Sequence, residues 1–252
     1  MFKLLLKRAV PIPRIEEFNS FLFIGPHPDD IEIAAAPTVA KLTAAGKRVD
    51  FLIATDGCMG SSDERLYGRR LAEIRKEEAL ASSRLLGANS VTFLDFTDGG
   101  RYPVEALSEA IAREIVRIKP EVVFGPDPDV ISETHADHIK TGVALKYAMN
   151  MCPYPALMET IGVKESFAPS ALAFFYTDRP NAYVSVGKFF SARRRAALCH
   201  RSQFDEKTID ELGVYFKLRA VRFGLRRLTR MCDGFRVYAP IHLHCFPEAS
   251  EW

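Results

Sequence analysis

Cysteine is scarce in this sequence and never occurs in a C-x-x-C pair. The five cysteines lie far apart along the chain, at Cys58, Cys152, Cys199, Cys232 and Cys245. An odd and dispersed set argues against a disulfide framework and against a zinc site built from thiolates. This pattern favours a reducing compartment, so we expect a cytoplasmic protein.

Long apolar runs are also absent. No stretch approaches the roughly 18 apolar residues that a membrane-spanning helix requires. The first ten residues are basic and apolar, but their uninterrupted apolar run covers only residues 4–6, and no small-residue cleavage site follows. A signal peptide needs a longer apolar core. We therefore expect neither a membrane span nor a signal peptide.

Neither sign of charge dominates, since 34 basic residues stand against 32 acidic residues and leave a formal net charge of +2. This balance predicts no strong field over the whole surface, and so no nucleic-acid partner. Basic side chains concentrate in residues 216–230, at Lys217, Arg219, Arg222, Arg226, Arg227 and Arg230. We interpret this segment as a solvated helix with Val221, Leu225 and Leu228 towards the core; a surface for an acidic ligand is the alternative.

No Gly/Ser-rich linker divides the 252 residues, and no internal repeat occurs. Apolar residues make up 48% and charged residues 26%, which is an ordinary globular composition. A chain of this length can bury one large core. We therefore expect a single domain over residues 1–252.

Short apolar runs alternate with helical patterns along the chain. Strands are predicted to begin at Phe21, Val49, Val91, Glu121, Ala171 and Ala182. One helix is predicted to follow the first strand and to end at about residue 46. Two others are predicted over roughly residues 64–86 and from about residue 104 to just before residue 120. Strands separated by helices of this length favour βαβ crossovers, so we expect an α/β fold with a mostly parallel sheet.

Histidine and aspartate side chains, which are common metal ligands, follow two of the predicted strands. Residues 26–30 read PHPDD after the first strand, and residues 134–138 read THADH after the fourth. Three of the six histidines in the chain fall in these two segments. Open parallel sheets bind ligands beyond the carboxyl ends of their strands, so we expect both segments at one site.

The two segments together supply a ligand set for zinc. Imidazole and carboxylate suit this metal, and a catalytic site keeps three protein ligands with one position open for water. We predict His27, Asp30 and His138 as the ligands. The adjacent Asp29 then stays free to take a proton from the water, whose pKa a bound metal lowers from about 16 towards 7.

Two further residues of the second segment fit this chemistry. His135 lies one turn before His138 if the helix has begun there, so it would face the same side and stabilise an oxyanion or a leaving amine. Asp137 could accept a hydrogen bond from the ring N–H of a histidine on the side away from the metal, which would fix the tautomer of that histidine. Taken singly, these residues have ordinary alternatives: either aspartate of the first segment could be a helix N-cap, and the histidines could lie on surface loops. The two clusters together favour the metal site.

The sequence HPDDIE at residues 27–32 resembles the signature of the PIG-L/LmbE-like zinc N-deacetylases, and HADH at residues 135–138 is similar to that family's second motif. The resemblance runs from about residue 21 to residue 247 and is greatest to the diacetylchitobiose deacetylase branch. Further segments that match are residues 56–60, 75 with 78, 86–87, 176–177, 180–181, 200–204 and 234–236.

This resemblance implies a Rossmann-like three-layer sandwich and the removal of acetyl from an N-acetylglucosamine-type sugar, with Zn²⁺ as cofactor. It implies zinc ligation by His27, Asp30 and His138, with Asp29 as general base and His135 as electrostatic stabiliser. The expected partner is therefore a small N-acetylated sugar, a chitooligosaccharide or a related glycoconjugate.

Two positions, Arg75 and Asp98, match sites where the branch contacts its substrate. Each has an ordinary alternative. Arg75 could pair with Glu78 one turn along a helix, and Asp98 before Gly99 suits a turn.

The branch also implies a role for His244. There, a histidine at this distance after Gly-Phe-Arg, here residues 234–236, completes the active site of a neighbouring subunit. Alternation would place His242 and His244 on one face of an extended segment. We therefore expect His244 to reach a substrate across the interface of a closed homo-oligomer, a trimer or a hexamer; two half-buried histidines bonded within their own subunit are the alternative.

The sequence departs from the family at Ala136, where proline is usual, at residues 35–37, where a Gly-Gly pair is usual, and at Ser185, where Asp is usual. These departures bear on the substrate. Alternative functions are an amidase of the same fold for a thiol conjugate or other non-sugar amide, and a metal- or sugar-binding protein without turnover, which the spare Asp29 disfavours. A nucleotide-binding protein is disfavoured because acidic residues follow the first strand where a phosphate needs glycines.

Overall fold

Seven strands form one sheet in the structure, a computed structural model that describes residues 2–244 and 246–252. Cys245, one of the five dispersed cysteines, lies outside the described residues. The strands are β1 (Ser20–Gly25), β2 (Arg48–Thr55), β3 (Ser90–Phe96), β4 (Val122–Pro126), β5 (Ala171–Phe175), β6 (Ala182–Ser185) and β7 (Cys232–Tyr238).

Eight α-helices accompany the sheet within the described residues: α1 (Phe2–Ala9), α2 (Asp30–Ala44), α3 (Arg69–Leu86), α4 (Val104–Ile118), α5 (Ala136–Met151), α6 (Pro155–Thr160), α7 (Ala192–Ala197) and α8 (Glu206–Arg226). Short 3-10 helices cover Ile15–Glu17, Gly187–Phe189, Pro240–Leu243 and Pro247–Glu251. Among the described residues, no helix combines the length and the apolar character needed to cross a membrane.

The strand order β3-β2-β1-β4-β5-β7-β6 decides where the two ligand-bearing segments meet. Strand β1 pairs in parallel with β2 on one side and with β4 on the other. The chain order reverses at β1, so a crevice opens between the carboxyl ends of β1 and β4, the place where such sheets bind ligands. The prediction of a mostly parallel sheet is confirmed; only β7 runs antiparallel to its neighbours.

The sheet is buried on both faces, as β1 shows. Phe21 and Phe23 pack into the apolar layer beneath α2, while Leu22 and Ile24 pack into the layer beneath α4 and α5. All four side chains have no exposed surface. Burial of both faces explains the unbroken apolar run of this strand, and it makes the fold a three-layer, Rossmann-like sandwich.

The predicted orientation of the basic helix is wrong. Leu225 is 71% exposed and Leu228, which lies past the end of α8, is 98% exposed, whereas Phe216 and Phe223 are buried. Val221 is also exposed. Residues 216, 220 and 223 recur at helical spacing, and so do 221, 225 and 228. Two apolar stripes of equal period compete for the core, and the larger aromatic side chains occupy it.

The third helix begins later than predicted. The helical pattern suggested a start near residue 64, but α3 begins at Arg69. Gly68 precedes it with φ of 85°, a left-handed conformation that cannot belong to a right-handed helix. The predicted end at Leu86 is confirmed, since Gly87 terminates the helix in the left-handed conformation.

Candidate active site

The first ligand segment turns sharply between β1 and α2. The Thr55 backbone N–H and hydroxyl both donate to the Pro26 carbonyl, at 2.9 and 2.8 Å, and so tie the segment to β2. Asp29 occupies the N-cap position of α2, but its side chain makes no capping hydrogen bond. The helix-cap alternative therefore does not account for Asp29, whose carboxylate is free for other contacts.

Two potential metal donors, from His27 and His138, converge on a third, the Asp30 carboxylate. Its Oδ2 lies 3.2 Å from His27 Nδ1 and 3.3 Å from His138 Nε2. Donors about 2.0–2.1 Å from a tetrahedral zinc ion are separated by about 3.3 Å, so both distances match those of a shared ion. His27 and Asp30 are buried, and the His27 backbone N–H donates to Asp30 Oδ2 at 2.9 Å. The predicted ligand set is thus brought together.

The far ring nitrogens of both histidines face carboxylates. His138 Nδ1 lies 3.0 Å from Glu133 Oε2. His27 Nε2 lies 3.2 Å from Asp98 Oδ1, yet it is buried with no hydrogen bond of good geometry. Histidines that bind a metal through one nitrogen usually donate the other N–H to a carboxylate, which fixes the ring. The arrangement of donors and supporting carboxylates fits a metal ion.

Asp137 is the most buried carboxylate of the site, with no exposed surface. It accepts hydrogen bonds from the Gly99 and Gly100 backbone N–H groups at 3.0 Å each and from the Tyr102 hydroxyl at 2.8 Å. Its Oδ2 also lies 3.6 Å from His27 Nε2. Asp137 is therefore held in place beside the far nitrogen of His27, close to its predicted position as a histidine partner.

Among the described residues, two donor groups have atoms that all lie within 4.8 Å of one another: His27 with His135 and His138, and His27 with Asp98, His135 and Asp137. Asp30 belongs to neither group. The second group lies on the far side of the His27 ring. Of the predicted histidine ligands, its two carboxylates, Asp98 and Asp137, approach only the far nitrogen of His27 and not His138. We favour the set of His27, Asp30 and His138 because its carboxylate bridges two ring nitrogens.

His135 lies beside both of the other histidines. Its ring centre is 4.6 Å from that of His27 and 5.0 Å from that of His138. It occupies the N-cap position of α5, and half of its side chain is exposed. His135 therefore sits on the open side of the cluster, where it can reach a bound molecule.

Asp29 pairs with Arg75 from the distant helix α3. Arg75 Nη2 lies 3.1 Å from Asp29 Oδ2, and Arg75 Nη1 donates to the Gly57 carbonyl at 3.0 Å. Burial raises the pKa of the Asp29 carboxyl to about 6, and the Arg75 guanidinium acts in the opposite direction. The expected alternative, a pair between Arg75 and Glu78, is wrong: Glu78 instead accepts hydrogen bonds from the Ser202 backbone and hydroxyl.

The Arg75 guanidinium fits beside two glycines, Gly57 and Gly60, because neither has a side chain. A Cβ on Gly57 would lie 2.7 Å from Arg75 Nη1, and a Cβ on Gly60 would lie 2.5 Å from the same atom. Gly57 also has φ of 64°. The segment DGCMG at residues 56–60 therefore has a structural reason for both glycines, since any side chain there would displace the guanidinium from Asp29.

Asp98 is a turn residue whose carboxylate also belongs to the cluster. Its carboxylate faces His27 and accepts from Met59, while its own backbone N–H donates to Asp56 Oδ1 at 3.1 Å. It directly precedes Gly99, which has φ of 104°. Asp98 is thus both a turn residue and a component of the cluster.

Sequence reasoning missed the roles of Tyr176 and Glu133. The Tyr176 hydroxyl donates to the Asp30 carbonyl at 3.2 Å, and its ring lies parallel to that of His138 with centres 5.8 Å apart. Burial raises the pKa of Tyr176 well above its usual value, so the hydroxyl remains a donor. One signal was available: Tyr176 directly follows β5, the parallel neighbour of β4, and so lies at the same edge of the sheet.

His244 lies apart from this cluster within its own chain. The extended segment predicted around it is wrong, because Pro240–Leu243 forms a 3-10 helix. His242 is buried, and its Nδ1 accepts from the Ala239 backbone N–H at 3.0 Å. His244 lines a different cavity, which shares no lining residue with the cavity at His138.

The family model described as "PIG-L: GlcNAc-PI de-N-acetylase" matches residues 22–149. The matched span contains both ligand-bearing segments, residues 26–30 and 134–138. The chain belongs to the PIG-L family. The likeness inferred from the HPDDIE and HADH motifs is thereby confirmed.

Individual known proteins resemble the chain over most of its length. A diacetylchitobiose deacetylase from Thermococcus kodakarensis is 32% identical to this chain. The alignment covers 93% of this chain and 90% of the length of that protein. A probable N-acetyl-alpha-D-glucosaminyl L-malate deacetylase 2 from Bacillus cereus is 26% identical over 72% and 82% of the two chains. The solved N,N'-diacetylchitobiose deacetylase from Pyrococcus horikoshii, in complex with its inhibitor MPG, has a TM-score of 0.88 at 29% identity and covers 98% of this chain and 94% of that one.

Proposed function

We propose that the protein is a zinc-dependent hydrolase that removes the acetyl group from an N-acetylglucosamine-type sugar, such as a chitooligosaccharide or a related glycoconjugate. One observation carries the proposal: the Asp30 carboxylate lies 3.2 Å from His27 Nδ1 and 3.3 Å from His138 Nε2, with the unligated Asp29 beside it. The names of the similar proteins, which are deacetylases of N-acetylated sugars, support the substrate class.

We assign the metal to His27, Asp30 and His138, because two imidazoles and one carboxylate are a usual ligand set for a catalytic zinc ion. When bound, the ion supplies a Lewis acid for the acetamide carbonyl and lowers the pKa of water towards about 7. Tyr176 supports this set through its hydrogen bond to the Asp30 carbonyl, and Glu133 does so through His138.

In the proposed reaction, Asp29 accepts a proton from the attacking water and later passes it to the leaving amine. Arg75 orients the Asp29 carboxylate through the 3.1 Å contact. His135, on the open side of the cluster, stabilises the negative charge that develops on the carbonyl oxygen. Asp137 holds the His27 ring from behind and does not touch the substrate.

For the substrate, we keep Arg75, Asp98 and His244 as proposed contacts, the last from a neighbouring subunit. Four described cysteines are free thiols, in agreement with the proposed cytoplasmic location. We propose that residues 1–252 act as one catalytic domain.

An acetate-release assay with the zinc-loaded protein tests the function. The panel contains N-acetylglucosamine, its oligomers and an N-acetylated glycoside, beside an amide conjugate of a thiol as the competing substrate class. We expect acetate from the sugars with the wild type, and release at least about 10²-fold slower with the Asp29→Asn variant. Hydrolysis of the thiol conjugate alone would favour the amidase alternative over a sugar deacetylase.

A further inference from the structure

A second cavity adjoins the candidate active site. Its volume is about 480 Å³, within the range of roughly 300–1,000 Å³ usual for small-molecule sites, and it lies between α8 and residues 176–180. It shares five lining residues with the cavity at His138: Val130, Ser132, Tyr176, Tyr215 and Arg219. The two cavities are therefore one continuous cleft that starts at the metal donors. We call its outer part the α8 groove.

Three arginines line the α8 groove from one face of the helix. Arg219, Arg222 and Arg226 lie three and four residues apart, so their side chains project in the same direction. Among the described residues, none of the three forms an ion pair, and no acidic residue occurs between Glu211 and Asp233. Three guanidinium groups thus line one cavity without a countercharge of their own.

Neighbouring contacts hold two of these guanidinium groups in place. Arg219 donates to the Thr177 carbonyl at 2.8 Å and lies over the Phe223 ring. Arg226 donates to the Tyr183 hydroxyl at 2.7 Å. Each guanidinium has five N–H donors, so most remain available after these bonds.

Acidic side chains at the cleft do not neutralise the arginines. Asp178 lines the groove, but its closest cation is Arg179, with 3.4 Å between Asp178 Oδ1 and Arg179 Nε. Glu133 lies at the inner end and is bound to the His138 ring. The groove therefore keeps an excess of positive charge next to the catalytic centre.

Some exposed arginines elsewhere on this chain pair with carboxylates. Examples are Arg69 with Glu73 at 2.9 Å and Arg194 with Asp210 at 2.7 Å. The arginines of the groove differ from these in having no such partner. Arg84 and Arg101 are also exposed without an ion pair in the described part of the chain. What sets the groove arginines apart is that they line one cavity next to the metal donors.

We propose that the α8 groove binds an anionic group, a phosphate or a carboxylate, carried by the substrate on the part of the sugar remote from the acetamide. This inference rests on the proposed deacetylase function and narrows its substrate to anionic N-acetylglucosaminides. The forked guanidinium group pairs with both anions through two parallel hydrogen bonds. Tyr215, which borders both parts of the cleft, supplies a flat surface for the sugar between them.

Acetate release from two small substrates tests the proposal. N-acetylglucosamine 6-phosphate carries its anion on the side of the ring remote from the acetamide, and N-acetylglucosamine itself is the neutral match. We expect kcat/KM to be higher for the phosphate, and this preference to decline as salt is added. Arg222→Gln should lower the ratio of the two kcat/KM values about fivefold, the scale of one partly exposed charge pair. Lys217→Gln is the matched control, because Lys217 lies on the same helix outside the groove.

Two further measurements separate the remaining outcomes. Titration with inorganic phosphate, followed by calorimetry, should show binding to the wild type that weakens in Arg222→Gln, whether or not either sugar is hydrolysed. If neither sugar releases acetate, the proposed deacetylase function is wrong. The phosphate titration still shows whether the α8 groove binds an anion. If Arg222→Gln leaves the ratio of the two kcat/KM values unchanged, the proposal that the α8 groove binds an anion is wrong. A second result would also contradict the proposal: the phosphorylated sugar has no advantage over the neutral one, but the protein binds phosphatidylglycerol vesicles and loses this binding in Arg222→Gln. The ligand of the groove would then be a lipid headgroup.

Discussion

Arg75 Nη2 lies 3.1 Å from Asp29 Oδ2, and this contact joins residues 46 positions apart in the chain. Arg75 is almost completely buried, and the glycines at 57 and 60 leave room for it. The long helix α3 thus reaches the carboxylate proposed to move protons in the reaction. The orientation of that carboxylate depends on packing far from the segment that carries it.

Replacing Asp29 by asparagine should lower kcat by at least about 10²-fold, the usual scale for the loss of a general acid–base group. The metal content should remain that of the wild type, because Asp29 is outside the donor set. Asp30→Asn is the matched change and should instead weaken metal binding. Acetate-release kinetics and elemental analysis of both variants check this prediction. Near-normal turnover in Asp29→Asn would mean that the proton goes to another group.

Purified wild-type protein should contain about one zinc ion per chain, as expected for two imidazoles and one carboxylate. His138→Ala removes one donor and should lower the zinc content substantially. The exposed change Lys217→Gln should leave it unaltered. Elemental analysis of the three proteins, prepared without added metal, gives the comparison. Equal zinc in the wild type and His138→Ala would contradict the ligand assignment.

Gly60→Ala should lower kcat about 10- to 100-fold although Gly60 makes no contact with Asp29. Its new Cβ would lie 2.5 Å from Arg75 Nη1 and displace the guanidinium, and small displacements in an active site cost activity on this scale. Gly213→Ala is the control: no heavy atom lies within 4 Å of a Cβ there, and alanine stabilises a helix relative to glycine by up to about 1 kcal/mol. Its turnover should match the wild type. A Gly60→Ala enzyme with full activity would show that Arg75 is dispensable.

Ala136→Pro should stabilise the fold by about 0.4–1 kcal/mol, because it restricts the unfolded chain at a compatible position. Ala136 is the first residue of α5, where proline is favoured, and His135 before it is extended, with φ of −73° and ψ of 115°. Gly100→Ala should act in the opposite direction, since Gly100 has φ of 68° and its Cβ would lie 2.6 Å from that of Ala136. Urea unfolding of both variants measures the difference. A destabilised Ala136→Pro would mean that the Ala136 N–H has a partner.

Mixing two inactive variants tests whether His244 acts across a subunit interface. Co-refolded Asp29→Asn and His244→Ala chains should regain part of the activity, because some mixed sites receive both intact groups from different chains. Subunit exchange must be shown separately, for example by mass measurement of differently tagged chains. No recovery despite exchange would assign His244 to its own chain or to no catalytic part.

The strands of the sheet could be predicted from local patterns. Residues 21–24 are all apolar, which indicates a strand buried on both faces, and β1 has this burial. The boundaries of the helices were less predictable. The start of α3 depends on one left-handed glycine, Gly68, whose conformation a sequence does not state.

The ligand set could be predicted because each motif lies directly after a strand or directly before a helix, so short-range geometry orients its side chains. His27 and Asp30 belong to one turn of chain. Their meeting with His138 needed the reversal of strand order at β1, which a parallel α/β pattern makes a reasonable expectation.

Contacts between distant elements were not predictable in the same way. Tyr176 reaches Asp30 across 146 residues, and Arg75 pairs with Asp29 instead of its helical neighbour Glu78. On α8, two apolar stripes have the same helical period, so the sequence does not distinguish the buried face from the exposed one. Periodicity tells which side chains share a face of a helix or strand. Which faces then come together depends on strand order and on how large side chains such as Phe216 and Phe223 fill the core, and those are properties of the whole fold.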